Sequence, residues 1–346
     1  MKTVAWNVAL TALITLVVLA ALEAWLRYTI PPMQEGTLYQ YSAQSKRLKL
    51  MKPLADMRIF GAHIQTNDQG FRDRQAHIPP KQPGEYRIVV LGDSFTFGPG
   101  VEYDHLYTTL LGSRLARTHP EVKVINLAVE GYNIIQYEAV LEEVGLKLQP
   151  DLVLLAMFPV NDFEMDDYDH HLALANGAQV HLPWYLSLYV YRAYLHRIPE
   201  IASKVLLRAH PPAPGGPDVG WERNVAALKQ IHVLTATHQL PLTVALLPHT
   251  KGFATQEKIF ARVEEVCAAE RLECLDLLQA FRGLGVHDGA LVLNAIDSHP
   301  NDEYNRLMAG ELAARLEPHL PAPLVRPDRV SSPTLERQPS APRGTF

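Results

Sequence analysis

Three apolar runs, each closed by turn-forming residues and followed by a segment of helical period, limit what this chain can fold into. Arg87 to Leu91 is a short β-branched run ending at Gly92. Val122 to Val129 repeats the pattern, and Asp151 to Phe158 is apolar through Leu152, Val153, Leu154 and Leu155. Between them, 104–118 carries Leu106, Leu110, Leu111 and Leu115 at helical spacing, and 134–148 reads as a second helix. The rhythm resumes with a helix at 222–238, a strand at 242–247, a helix at 255–269, a strand at 272–275 and a last helix at 302–316. Strands alternating with helices imply a parallel sheet with helices on both faces. Continuous apolar strands fit a sheet buried on both sides.

A different kind of run opens the chain. Val4 to Leu22 is apolar except for Asn7, Thr11 and Thr15, about the length that crosses a hydrocarbon core as a helix. Trp6 lies at one end and Trp25 and Tyr28 lie past the other, as interfacial aromatics do. The run has no polar face, which argues against a core helix of a soluble domain. A cleaved signal peptide is the alternative: Ala20, Ala21 and Ala24 would suit a peptidase, although the run is long for such a segment. The expectation is an uncleaved single-pass anchor, with its amino terminus inside and the following domain periplasmic or otherwise extracytoplasmic.

Composition bounds the rest. The 346 residues are 47% hydrophobic, enough for one large α/β core or two modest domains. The net charge of -5 gives no basic excess for a nucleic-acid partner. Cys267 and Cys274 fit neither a zinc spacing nor a disulfide scaffold. They read as core cysteines, with a local disulfide as the alternative in an oxidising compartment. The expected organisation is an anchor at 1–30, an extended lead-in at 31–85 and one domain at 86–317 with an insertion at about 162–220. A Pro-, Ser- and Arg-rich tail at 318–346 is expected to be disordered.

Ser94 follows the first strand and precedes a helix, in Gly92-Asp93-Ser94-Phe95-Thr96-Phe97-Gly98. Ligands of open α/β sheets bind beyond the carboxyl ends of the strands, so a serine there is placed for chemistry, although a Ser/Asp helix cap reads the same way. A serine nucleophile needs a base, and the base an orienting acid. Asp297-Ser298-His299-Pro300-Asn301 stands just before the last helix and supplies both. Read alone, it would be an aspartate cap with a surface histidine. Turns after the second and third strands, Glu130-Gly131-Tyr132-Asn133 and Pro159-Val160-Asn161-Asp162, add a glycine amide and a side-chain amide. With the Ser94 amide, these could meet the oxygen that becomes negative during acyl transfer.

The four blocks Gly92–Gly98, Asn126–Tyr132, Pro159–Asp162 and Asp297–Asn301 resemble the SGNH branch of the GDSL hydrolase family. The resemblance implies a three-layer flavodoxin-like fold with five parallel strands and no metal or organic cofactor. It implies Ser94 as nucleophile, His299 as general base, Asp297 as its orienting acid, and Ser94, Gly131 and Asn161 as the oxyanion hole. The third block departs from the family pattern, with Pro159 where a glycine is usual. Proline has no amide hydrogen and a fixed φ, so the loop is expected to be shaped differently, while Asn161 remains as a donor.

The expected activity is ester hydrolysis through an acyl-enzyme, on an acylated small molecule or an O-acylated carbohydrate. One alternative is O-acyl transfer to a cell-envelope polysaccharide. A second is an inactive envelope binding or assembly protein that keeps the fold. Outside the blocks, Arg72 in Asn67–Asp73 is a candidate partner for an anionic group or for a surface salt bridge. His249 and Lys251 are candidates for the site rim. Tyr185, Tyr189, Tyr191 and Tyr194 suit packing more than sugar stacking. Glu164, Asp166, Asp167, Asp169, His170 and His171 read as a solvated loop, since their spacing matches no metal motif.

Overall fold

The computed structural model describes residues 2–29, 38–76, 78–165, 168–177, 188–190, 217–295 and 297–322. The expected disordered tail beyond 322, most of the insertion, and Asp166, Asp167, Tyr185, Tyr191 and Tyr194 lie outside them.

The sheet is the expected one. Strands β5 (Tyr86–Gly92), β6 (Val122–Asn126), β7 (Leu152–Met157), β8 (Leu242–Leu246) and β9 (Glu273–Asp276) are all parallel, in the order β6-β5-β7-β8-β9. Every residue of β7 is buried, and each leucine so buried contributes about 1.5–3 kcal/mol. Helix α3 (Tyr107–Leu115) packs on α9 (Asp302–Leu316), and α4 (Ile134–Glu143) on α6 (Pro217–Thr237). With α5 (Tyr168–Ala175), α7 (Phe253–Ala269) and α8 (Leu277–Gly283) they complete the α/β architecture. Helix α6 starts at Pro217, inside the stretch assigned to the insertion, and proline is favoured in a first helical turn. After β5 the chain adds β6 on one side, then returns to add β7 on the other. That reversal opens a crevice at the carboxyl end of β5.

The segment before β5 is folded, contrary to the expected extended lead-in. β1 (Tyr39–Tyr41) pairs antiparallel with β2 (Lys49–Met51), and β3 (Asp56–Ile59) with β4 (Ala62–Gln65). Phe60 and Gly61 between β3 and β4 both have positive φ, as the tightest hairpin turns require. Leu38, Met51, Ile59, Ile64 and Phe71 are buried in the same core as the sheet. Asn67 shapes the next turn: its Oδ1 accepts from the N–H of Gln69 at 3.0 Å and of Phe71 at 2.9 Å.

Helix α1 (Lys2–Thr29) is long and apolar enough to cross a membrane, and its most apolar stretch is exposed. An anchor and a signal sequence share that signature. Its last turns meet the domain: the Glu23 carboxylate accepts from the N–H of Tyr189 at 3.1 Å and of Val190 at 2.8 Å, and Leu26 is buried.

Cys267 on α7 and Cys274 on β9 form a disulfide. This corrects the expectation of two core thiols. The helix turns back into the neighbouring strand within a few residues, so the two side chains meet.

Candidate active site

Ser94 opens the one-turn helix α2 (Ser94–Phe97) at the carboxyl end of β5, at the crevice. Asp93 caps this turn, accepting from the Phe95 N–H at 2.9 Å. Gly98 closes it in the left-handed region at φ 72°, with its N–H on the Ser94 carbonyl at 2.8 Å. The Ser94 N–H, first in the turn, has no backbone acceptor among the described residues, as is usual at a helix start. A Cβ at Gly92 would come within 2.3 Å of the Thr96 Oγ1, so only glycine lets the strand run into the turn. Asn126 at the end of β6 donates to the Thr96 carbonyl at 3.1 Å.

Arg72 holds the far end of the turn. Its guanidinium donates to the carbonyls of Phe97 at 2.7 Å and Gly98 at 2.6 Å, and also to that of Val101. It is 1% exposed, and burial lowers its pKa to about 9. Among the described residues its hydrogen-bond partners are main-chain oxygens, where the sequence weighs an anionic group against a surface salt bridge. No periodic signal marks such a residue, because a buried guanidinium and an exposed one look alike in sequence.

His299 and Asp297 come from the loop before α9. The His299 Nδ1 lies 2.6 Å from the Asp297 Oδ1, which also accepts the His299 N–H at 2.9 Å. A carboxylate at Nδ1 draws the ring proton there and leaves Nε2 as the acceptor, as a general base requires. The loop is pinned. Asp297 N–H donates to the Asn294 side chain at 3.0 Å, Leu293 N–H to the His299 carbonyl at 2.8 Å, and the Thr250 hydroxyl to the Ser298 carbonyl at 2.6 Å. Burial lowers the His299 pKa, but the hydrogen bond and charge of Asp297 outweigh it, helped by Glu130 and Asp93, and raise it to about 9.

Three loops meet at the Phe95 ring. It stacks on Phe158 with centroids 3.9 Å apart and lies 5.8 Å from the rings of both His249 and His299. His249 therefore reaches the site, while Lys251 is exposed. Burial first, then Lys251, lowers the His249 pKa to about 4, so the ring is neutral.

Gly131 sits in the left-handed region at φ 73°, and its N–H has no backbone acceptor among the described residues. Asn133 caps α4 in a capping box with Gln136. The Asn161 side-chain amide donates to the Tyr132 carbonyl at 2.9 Å, which ties the second block to the third, and it also hydrogen-bonds the Asp162 carboxylate. Pro159 precedes a π-helical turn, Val160–Met165. Asp162 carries the loop's shape: it accepts from the Phe158 N–H at 2.8 Å and the Tyr137 hydroxyl at 2.9 Å. Asp93 and Asp162 are both fully buried, and burial raises both carboxyl pKa values.

Sequence reasoning missed a group beside Gly131. The Lys49 Nζ donates to the Glu130 carbonyl at 2.7 Å and lies 4.0 Å from the centre of the Tyr39 ring. The Tyr39 hydroxyl bonds the Glu130 carboxylate. A lysine alternating with Leu48, Leu50 and Met51 was the available signal. In the acidic and histidine cluster, Asp169 pairs with Arg223 at 2.9 Å. His171 is buried with its pKa lowered to about 3, by burial first and then by Lys49. Among the described residues no group of three His, Cys, Asp or Glu is arranged to hold a metal ion.

Comparison with known proteins adds the following. The model of the GDSL-like lipase/acylhydrolase family matches residues 90–307. No curated protein matches the chain. Among solved structures, a lipase/acylhydrolase from Enterococcus faecalis is 17% identical, with 69% of this chain and 98% of that one covered and a TM-score of 0.42. An acetylxylan esterase from Geobacillus stearothermophilus is also 17% identical, with 70% and 97% covered and a TM-score of 0.41.

Proposed function

Because the chain belongs to the GDSL-like lipase/acylhydrolase family, an enzyme family acting on ester bonds, we propose that it cleaves its ester through an acyl-enzyme on Ser94. The observation that carries this reading is the His299–Asp297 pair at 2.6 Å, pinned in a loop whose histidine ring approaches the aromatic residue next to Ser94. Ser94 attacks the carbonyl carbon and His299 takes its proton at Nε2. The oxyanion is met by the N–H groups of Ser94 and Gly131 and by the Asn161 amide. The tetrahedral state collapses, His299 returns the proton to the leaving alcohol, and water then releases the acid by the same steps.

The substrate in this reading is a small O-acyl group on a hydroxylated alcohol such as a carbohydrate. Glu130 and His249 lie within electrostatic reach of His299, and polar groups there suit such an alcohol better than a long alkyl chain. The enzyme is held at a membrane by α1 with its domain outside the cytoplasm. The Cys267–Cys274 disulfide supports that placement, since disulfides persist in oxidising compartments.

Labelling with a fluorophosphonate probe tests the reading. Wild type should label and release acetate from p-nitrophenyl acetate, and Ser94→Ala should do neither while keeping its melting temperature. A folded wild type that neither labels nor turns over overturns it.

A further inference from the structure

We infer that Lys49 is a positioning residue for ester cleavage, polarising from behind the peptide whose N–H meets the oxyanion. The inference rests on the Ser94 reading above. The Lys49 ammonium donates to the Glu130 carbonyl at 2.7 Å. That carbonyl and the Gly131 N–H belong to one peptide unit. The unit is trans, so its C=O and N–H point in opposite directions. A cation on the oxygen draws electron density through the delocalised C–N bond and leaves the N–H a stronger donor. Hydrogen bonds in series strengthen one another, and a low local dielectric enlarges the effect. The bond to Nζ is charge-assisted, roughly twice as strong as a neutral one, so it also fixes the plane of the peptide.

The surroundings hold Lys49 to this task. Lysine is seldom buried, yet Lys49 is 7% exposed. The Tyr39 ring lies against its ammonium, and the Tyr39 hydroxyl ties down the Glu130 carboxylate. The Lys49 carbonyl accepts from the Tyr132 hydroxyl. The hairpin strand is thus fastened to the residues on both sides of Gly131, by its side chain to one and by its main chain to the other. Gly131 holds φ 73°, in the left-handed region that favours glycine, and a Cβ there would stand 3.1 Å from the ammonium. The β1–β2 hairpin therefore carries a charge to the back of the oxyanion hole.

The test compares Lys49→Arg, Lys49→Gln and Lys49→Met in the full-length chain in detergent, with p-nitrophenyl acetate as substrate. These keep a charged donor, a neutral donor and no donor respectively. The expected order of kcat is Arg above Gln above Met. Lys49→Met should lose about 10–100-fold, less than removal of an oxyanion donor outright, with KM within about twofold of wild type. The affinity of a boronic acid that mimics the tetrahedral state should fall in step with kcat. If kcat instead follows the melting temperatures of the three variants, Lys49 merely supports the fold and the inference is overturned. Wild-type kcat in Lys49→Gln or Lys49→Met also overturns it. Should Lys49→Met not fold, the Arg and Gln pair still decides. Loss of activity in Ser94→Ala alongside wild-type Lys49 variants sinks this inference alone. Full activity in Ser94→Ala sinks the Ser94 reading instead.

Discussion

The ring of Phe95 stacks on that of Phe158 at 3.9 Å, so the residue after Ser94 rests on the residue before Pro159. The nucleophile turn and the Asn161 loop are thereby set against each other through two buried rings. Phe158→Ala should destabilise the protein by about 3–5 kcal/mol. Phe158→Leu should cost less and keep more activity. Urea melts together with initial rates of ester cleavage check both, and a Phe158→Ala variant as stable and active as wild type would refute the coupling.

Arg72 braces the other end of that turn through main-chain carbonyls. Arg72→Met leaves those oxygens without their charged donor and should cost about 3 kcal/mol. Arg72→Lys keeps a charge without the planar fork, and should fall between Met and wild type in melting temperature and in kcat.

The pH profile follows from His299. A general base works in its neutral form, and the pKa of this one is raised above the ordinary 6.5 to about 9. The neutral fraction therefore grows as pH rises, and kcat/KM should climb through an alkaline limb between those values. Asp297→Asn removes the charge that raises the pKa. The limb should move to lower pH while the rate drops by about 10²–10⁴-fold. A limb that stays in place in Asp297→Asn would contradict the pairing.

Asp93 separates capping from charge. Asparagine caps as well as aspartate, and burial already raises the Asp93 pKa. Asp93→Asn should keep the melting temperature and most activity. Asp93→Ala should lose about 1 kcal/mol and much of kcat. Thermal melts beside initial rates distinguish the two.

The disulfide lies at the edge strand β9, remote in the sheet order from β5. Replacing both Cys267 and Cys274 with serine should cost about 2–3 kcal/mol and leave kcat at 25 °C unchanged. Reduction with dithiothreitol should lower the melting temperature of wild type but not of the double variant.

Much of this architecture was legible in sequence because the sheet is parallel and buried on both faces. Runs such as Leu152–Leu155 then announce themselves without help from distant residues. The blocks around Ser94, Gly131, Asn161 and His299 were legible for a related reason: each is a short turn at a strand or helix end. The lead-in was not. Its strands are three or four residues long, too short to set a period. Its key residues, Lys49 and Arg72, are charged side chains whose burial depends on carbonyls that the chain reaches only after folding. The short helix α8 was missed for want of length. In sequence the disulfide stands only as the alternative to two core thiols, because two cysteines seven residues apart meet only if a helix turns directly into a strand.

Glu23 fastens the end of α1 to the main chain at Tyr189 and Val190. A leashed enzyme samples every position its leash permits, but one seated on its own anchor works at a single height. Where α1 spans a bilayer, the crevice beside Ser94 stands at a fixed elevation above the headgroups. Under the proposed reading, esters carried at that elevation are in reach, and an acylated polymer has to come down to the surface to lose its acyl groups.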